Sequence, residues 1–218
     1  MNPRFLRIAG VAALGGVVVM SACTLTRPIT DPTRYYLLAS VEFEEEAGRG
    51  DEHPAGEPLS VGLRRIQVTD YFNTPAITVR TGENSLRYSE FNRWAESLDR
   101  GASRIVREQL RGDPFVGSIL LFPEASREEV NYEVEIHLLA CEAVEHPDGS
   151  GSYSFRAFWM IYDGVERSIE SGGEFTRTGD WSRGDYAAFA RSISGACSEL
   201  GREIARQLRE LETATREI

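Results

Sequence analysis

The stretch Val130-Asn131-Tyr132-Glu133-Val134-Glu135-Ile136-His137-Leu138-Leu139-Ala140-Cys141 decides the fold of this chain. Val130, Tyr132, Val134, Ile136 and Leu138 alternate with Asn131, Glu133, Glu135 and His137. That period of two predicts a strand with one apolar face and one wet face. A turn follows at Pro147-Asp148-Gly149-Ser150-Gly151, and then a strongly aromatic strand from Tyr153 to Tyr162, with Phe155, Phe158 and Trp159. Asp163-Gly164 leads to its expected antiparallel partner, Ile169 to Thr178.

Outward from this block lie two helical patterns. In the segment from Asp185 to Leu211, the residues Tyr186, Phe189, Ile193, Cys197, Leu200, Ile204, Leu208 and Leu211 form one apolar stripe. Arg191, Glu199, Arg202, Arg206 and Arg209 fall outside it. Upstream, Leu98, Ala102, Ile105, Val106 and Leu110 recur at helical spacing, led in by Asn92-Arg93-Trp94-Ala95-Glu96 and stopped by Gly112. Short strands are expected at Tyr35–Leu38, Leu59–Val68, Ala76–Arg80, Leu86–Tyr88 and Gly117–Phe122, with a hairpin turn at Gly82-Glu83-Asn84. The order strands, helix, strands, helix gives an α/β class: a single compact domain over 34–218, with a mixed sheet and two main packed helices.

The composition excludes whole classes of function. Of 218 residues, 24 are basic and 34 acidic, and every basic residue is Arg. Chemistry that needs Lys, such as a Schiff base or a P-loop, is ruled out. The net charge of −10 argues against a nucleic-acid footprint.

The N-terminus carries a targeting signal. Arg4 and Arg7 precede an apolar run from Ile8 to Met20, shorter than the ~20 residues a bilayer span needs. Met20-Ser21-Ala22-Cys23 then matches a bacterial lipobox, with Met20 in place of the more usual Leu. Residues 1–22 are thus expected to be a signal peptide and Cys23 to carry acyl chains such as palmitate. Several chains on one residue anchor stably. Residues 23–33, with Pro28 and Pro32, read as a lipidated tether. Its ten residues after Cys23 reach at most ~35 Å, which keeps the domain near the membrane. Thr24 is compatible with the outer membrane. The acidic, Gly- and Pro-containing stretch 42–58 reads as a flexible loop.

No residue constellation points to catalysis, a cofactor or a metal. The motifs G-x-G-x-x-G, C-x-x-C, H-E-x-x-H and G-x-S-x-G are all absent. His53 lies in the acidic loop, His146 in a turn, and His137 beside Glu135 and Glu133 on the polar face of its strand. Cys141 and Cys197 are either bridged, if the last helix packs on the strand that ends at Cys141, or two buried thiols.

Tyr35-Tyr36-Leu37-Leu38, Val61-Gly62-Leu63 through Ile66-Gln67-Val68, Asp70-Tyr71, Ala76-Ile77-Thr78-Val79-Arg80 and Leu86-Arg87-Tyr88 to Asn92-Arg93-Trp94-Ala95-Glu96-Ser97-Leu98 follow the lipoprotein signal in this order. This order resembles the ABC-type transport auxiliary lipoproteins, the PqiC/YmbA family. The resemblance implies a compact α/β domain on a non-enzymatic outer-membrane lipoprotein that faces the periplasm. The partners it implies are an MCE-domain protein and ABC transporter components, with phospholipid or another hydrophobic solute as cargo. Self-association into a homo-oligomer is a further expectation. Tyr71, Tyr88 and Trp94 are the aromatic candidates for partner contact, with core packing as their other reading. An adaptor of another envelope machine and an envelope hydrolase stay open as alternatives.

Overall fold

The computed structural model describes residues 30–40, 57–122 and 130–216. The expected signal peptide, Cys23, His53 and nearly all of the acidic 42–58 stretch lie outside them. The chain divides at Pro32, and the fold below is that of the unit Thr33–Ile218. Its strands are β1 (Arg34–Tyr36), β2 (Leu59–Arg64), β3 (Gln67–Val68), β4 (Ala76–Gly82), β5 (Ser85–Trp94), β6 (Val116–Phe122), β7 (Tyr132–Glu145), β8 (Gly151–Asp163) and β9 (Ile169–Asp180). Its helices are α1 (Leu98–Arg111) and α2 (Tyr186–Arg216).

β7 organises the sheet. Along one edge it pairs antiparallel with β8 over its full length, and β8 pairs antiparallel with β9. Along the other edge β2, β3 and β4 meet it end to end, all parallel. β6 extends the sheet beyond β2, and β5 then β1 extend it beyond β4. The result is one mixed sheet, as the sequence pattern predicts.

A bulge in β7 sets which side chains face the core. The β7–β8 register slips between Leu138 and Ala140. Before the slip the even-numbered Val134, Ile136 and Leu138 are buried on the helix side; after it, the odd-numbered Cys141 and Ala143 are. The slip therefore brings Glu142 onto the same face as Glu133 and Glu135. The segment after β3 holds the bulge in place. The Thr69 amide and hydroxyl both donate to the Leu138 carbonyl, at 3.2 and 3.0 Å. The Tyr71 hydroxyl donates to the Leu139 carbonyl at 3.4 Å.

Both helices pack on one face of the sheet. They approach each other at Gly201, where an added Cβ would lie 2.8 Å from the Gln109 Cβ. Asp185 caps α2, its carboxylate accepting the Ala188 amide at 2.9 Å. Phe155, Ile136, Ile161, Phe189, Ile193 and Leu110 are all fully buried in the shared core. A side chain such as Phe155 contributes about 2–3 kcal/mol by this burial.

Several boundaries differ from the sequence expectation, β7 for one running on past Cys141 to Glu145. The expected strand Leu59–Val68 is two strands, broken at Arg65-Ile66. Ile66 is still buried, so the alternation looked continuous through the break. The strand expected over Leu86–Tyr88 is a ten-residue β5 that takes in Asn92-Arg93-Trp94 before the helix. β1 stops at Tyr36, although Leu38 is a core residue. α2 runs on past Leu211 to Arg216.

Candidate docking face

Neither α1 nor α2 covers the other face of the sheet; a short 3-10 turn, Asp70–Phe72, places Tyr71 beside Arg80 and Glu142 there. The alternating residues of β7 and β8 that point away from the helices lie here, and the expectation of a wet face needs correction. Glu133 is only 3% exposed and Glu142 is equally buried. Arginines from neighbouring strands cover them.

Arg64 on β2 donates through Nε and Nη2 to Glu133 at 3.0 and 2.8 Å, and through Nη1 to Glu135 at 2.6 Å. Its guanidinium stacks 4.8 Å from the Tyr162 ring centroid. Arg167, in the β8–β9 hairpin, is ion-paired to Glu133 from the far side. Arg80 on β4 holds Glu142 in a fork, with Nε and Nη2 at 2.6 and 3.1 Å. His137 Nε2 lies 2.7 Å from Glu135. Burial alone would raise the Glu135 pKa, but the hydrogen bond with His137 and the charge of Arg64 outweigh it and hold the carboxyl below its ordinary value.

Apolar side chains lie among these pairs. Phe158, Met160 and Tyr162 on β8, and Leu120 and Phe122 on β6, are half-buried. Gly62 is required here, because the Phe122 ring lies over it and an added Cβ would sit 2.2 Å from a ring carbon. At the β4–β5–β1 end, Tyr35, Leu86, Tyr88 and Phe91 are exposed, by 64, 36, 50 and 43%. By strand register they point to the side opposite the core residues Tyr36 and Trp94. The Tyr88 hydroxyl donates to the Tyr71 carbonyl at 2.8 Å. An exposed apolar patch next to a row of paired charges has the make-up of an interaction surface.

The structure separates the three aromatic candidates. Tyr88 is exposed and Tyr71 half-buried, and the two are joined on this face. Trp94 is 4% exposed and packs on Phe189 at 5.9 Å between centroids, so it is a core residue and leaves the contact set. Its position at the end of β5, one residue beyond the exposed Arg93, turns it to the helix side. Cys141 and Cys197 are free thiols, both buried, the second of the two readings above. Burial pushes Cys197 up to about 12, and burial together with Cys197 and Glu142 pushes Cys141 well above its ordinary value. His146 Nε2 is 2.9 Å from the Ser152 hydroxyl. Among the described residues no cluster of His, Cys, Asp and Glu could hold a metal ion.

Sequence reasoning missed Arg64, Arg80, Arg167 and the apolar row of β8. One signal was available. Phe158, Met160 and Tyr162 have one parity and Phe155, Trp159 and Ile161 the other, so β8 is apolar on both faces.

The family model of the ABC-type transport auxiliary lipoprotein component matches residues 42–205. No curated protein matches the sequence. Protein XCC0632 from Xanthomonas campestris, of the family DUF330, has a similar structure, with a TM-score of 0.70 at 12% identity over 85% of this chain and all of its own. A second, uncharacterized protein superposes with a TM-score of 0.61 at 12% identity, over 81% of this chain and 98% of its own. At such identities the likeness is one of fold.

Proposed function

This chain belongs to the ABC-type transport auxiliary lipoprotein family, and from that membership we propose that it is the outer-membrane-anchored, non-enzymatic auxiliary component of an MCE/ABC-type system that moves phospholipid or another hydrophobic solute between membranes. The match over residues 42–205 carries the proposal. Cys23 is the acylated anchor. The domain faces the periplasm, docks on an MCE-domain partner through the helix-free face, and uses Tyr71 and Tyr88 in that contact.

The physical logic lies in the cargo. An acyl chain exposed to water costs ~0.8 kcal/mol per CH₂. A shielded conduit avoids that cost only if its end is held at the receiving bilayer. A lipid-anchored domain with an exposed apolar and charge-paired face suits that holding role. The face brings its carboxylates together already neutralised by arginine, which suits recognition better than acid–base chemistry.

The test is capture of the tagged, crosslinked lipoprotein from solubilised envelopes, with partners identified by mass spectrometry. Recovery of an MCE-domain protein with its ABC components is the expected result. Recovery of only other envelope-machine proteins overturns the transport reading and leaves a different adaptor in its place.

A further inference from the structure

The outward side of α1 is rich in arginine, with the exposed Glu108 at its margin as the one acid. Arg100, Arg104, Arg107 and Arg111 follow at intervals of four, three and four residues. At ~100° per residue they fall within about 60° of one another around the helix axis and extend along ~17 Å of it. The buried set Leu98, Ala102, Ile105, Val106 and Leu110 occupies the opposite side. Arg104 is committed to the fold, since it pairs with Glu96 and donates to the Leu38 carbonyl. Among the described residues, no carboxylate pairs with Arg100, Arg107 or Arg111.

We propose that this arginine stripe docks the domain on the anionic phospholipid headgroups of the membrane that holds its acyl anchor, an inference that rests on the anchored reading above. Guanidinium groups bind phosphate oxygens in forked pairs. The net charge of −10 does not cancel the attraction, because charges beyond ~8–10 Å are screened. The tether's reach of at most ~35 Å holds α1 at high effective concentration near headgroups, so a weak site there is occupied. Because both helices lie on one side of the sheet, a domain seated on α1 keeps its helix-free face turned away from the bilayer and open to a partner.

The test uses the mature lipidated protein, labelled with a fluorophore at Ser103→Cys on α1. Cys141 and Cys197 are buried and do not compete for the label. Energy transfer to a headgroup dye is read in vesicles of phosphatidylcholine, alone or with about 30% phosphatidylglycerol. Transfer is expected to be higher in the anionic vesicles and to fall in about 0.5 M NaCl. Each of Arg100→Gln, Arg107→Gln and Arg111→Gln should lower the ratio of docked to undocked domain about fivefold. Equal transfer in both vesicle types overturns the proposal, as does unchanged transfer in the triple variant with an unaltered circular dichroism spectrum. Transfer that rises only when an acidic protein partner is added also overturns it and makes the stripe a protein site. Failure of the anchor is read separately, as an intact mass without acyl chains. In that case co-sedimentation of the unlipidated chain with the same vesicles decides. Salt-sensitive binding to the anionic vesicles that the triple variant loses supports the stripe, and no binding overturns it.

Discussion

Arg167 closes the β8–β9 hairpin onto Glu133. Among the described residues it is the one non-glycine with a positive φ, 62°. From that backbone it reaches a carboxylate that is 3% exposed and already held by Arg64 on the other side. The ion pair offsets a left-handed backbone that costs about 1 kcal/mol or more in a non-glycine residue. Glu133→Gln should therefore lower stability by about 1–3 kcal/mol, discounted for the exposure of both arginines. Arg167→Gly should be close to neutral, since the lost pair is compensated by relief at φ. Urea unfolding of the two variants checks this; equal losses would show that the backbone there is not strained.

The same cluster gives the protein an acid limb. Glu135 is held below its ordinary value of 4.5 in the folded protein. Burial opposes that shift, and the His137 hydrogen bond and the Arg64 charge outweigh it. A depressed carboxylate contributes stability that is fully present above its unfolded value and is lost as pH falls through the folded one. Asp99 behaves alike, with burial outweighed by hydrogen bonds from Ser97 and Arg65. Melting temperature should thus fall as pH drops below about 4.5. Glu135→Gln should flatten part of that limb, and a variant with the wild-type slope would show that other carboxylates carry it.

Two glycines of α2 should respond oppositely to the same change. At Gly201 a new Cβ meets the Gln109 Cβ at 2.8 Å and the Val106 Cα at 3.2 Å, so the helices must separate. Gly201→Ala should cost about 1–3 kcal/mol. At Gly195 nothing lies within 4 Å of a new Cβ. Gly195→Ala should stabilise by up to ~1 kcal/mol through helix propensity alone. Thermal melts of both variants measure the difference in sign.

How much of this was legible beforehand follows from which interactions are local. The β7 alternation, the α2 stripe and the Gly112 stop are periodicities within one segment, and they predicted elements of the right type. The β7 bulge was not visible, because it depends on Thr69 and Tyr71 bonding to a strand nearly seventy residues away. For the same reason Glu133 reads as solvated in the sequence: its cover comes from Arg64 on another strand and Arg167 in a distant hairpin. Trp94 keeps both readings in the sequence, contact and core, because the extension of β5 beyond Tyr88, whose parity points it inward, has no local signal.

Cys141 and Cys197 should be inert in the native protein. Both are buried, and burial keeps their thiols protonated far above neutral pH. Native protein at pH 8 should take up no alkylating reagent at these positions, and unfolded protein should take it up at both without any reductant. Alkylation in the unfolded state only after reduction would mean that the oxidising envelope joins them.

The exposed aromatics separate binding from stability. Tyr88 is half exposed, and its side chain makes one hydrogen bond, to the Tyr71 carbonyl at 2.8 Å. Tyr88→Ala should cost less than about 1 kcal/mol, whereas Trp94→Ala, which empties a core site against Phe189, should cost about 3–5 kcal/mol. Partner capture from envelopes should follow the reverse order once only folded protein is compared. Tyr88→Ala should lose most of the recovered partner, as expected of an aromatic anchor at the centre of an interface. Full recovery by Tyr88→Ala with a wild-type melting curve would move the docking site away from the β4–β5–β1 end of the face. The charge-paired middle, with Arg64 and Tyr162, would be the next place to mutate.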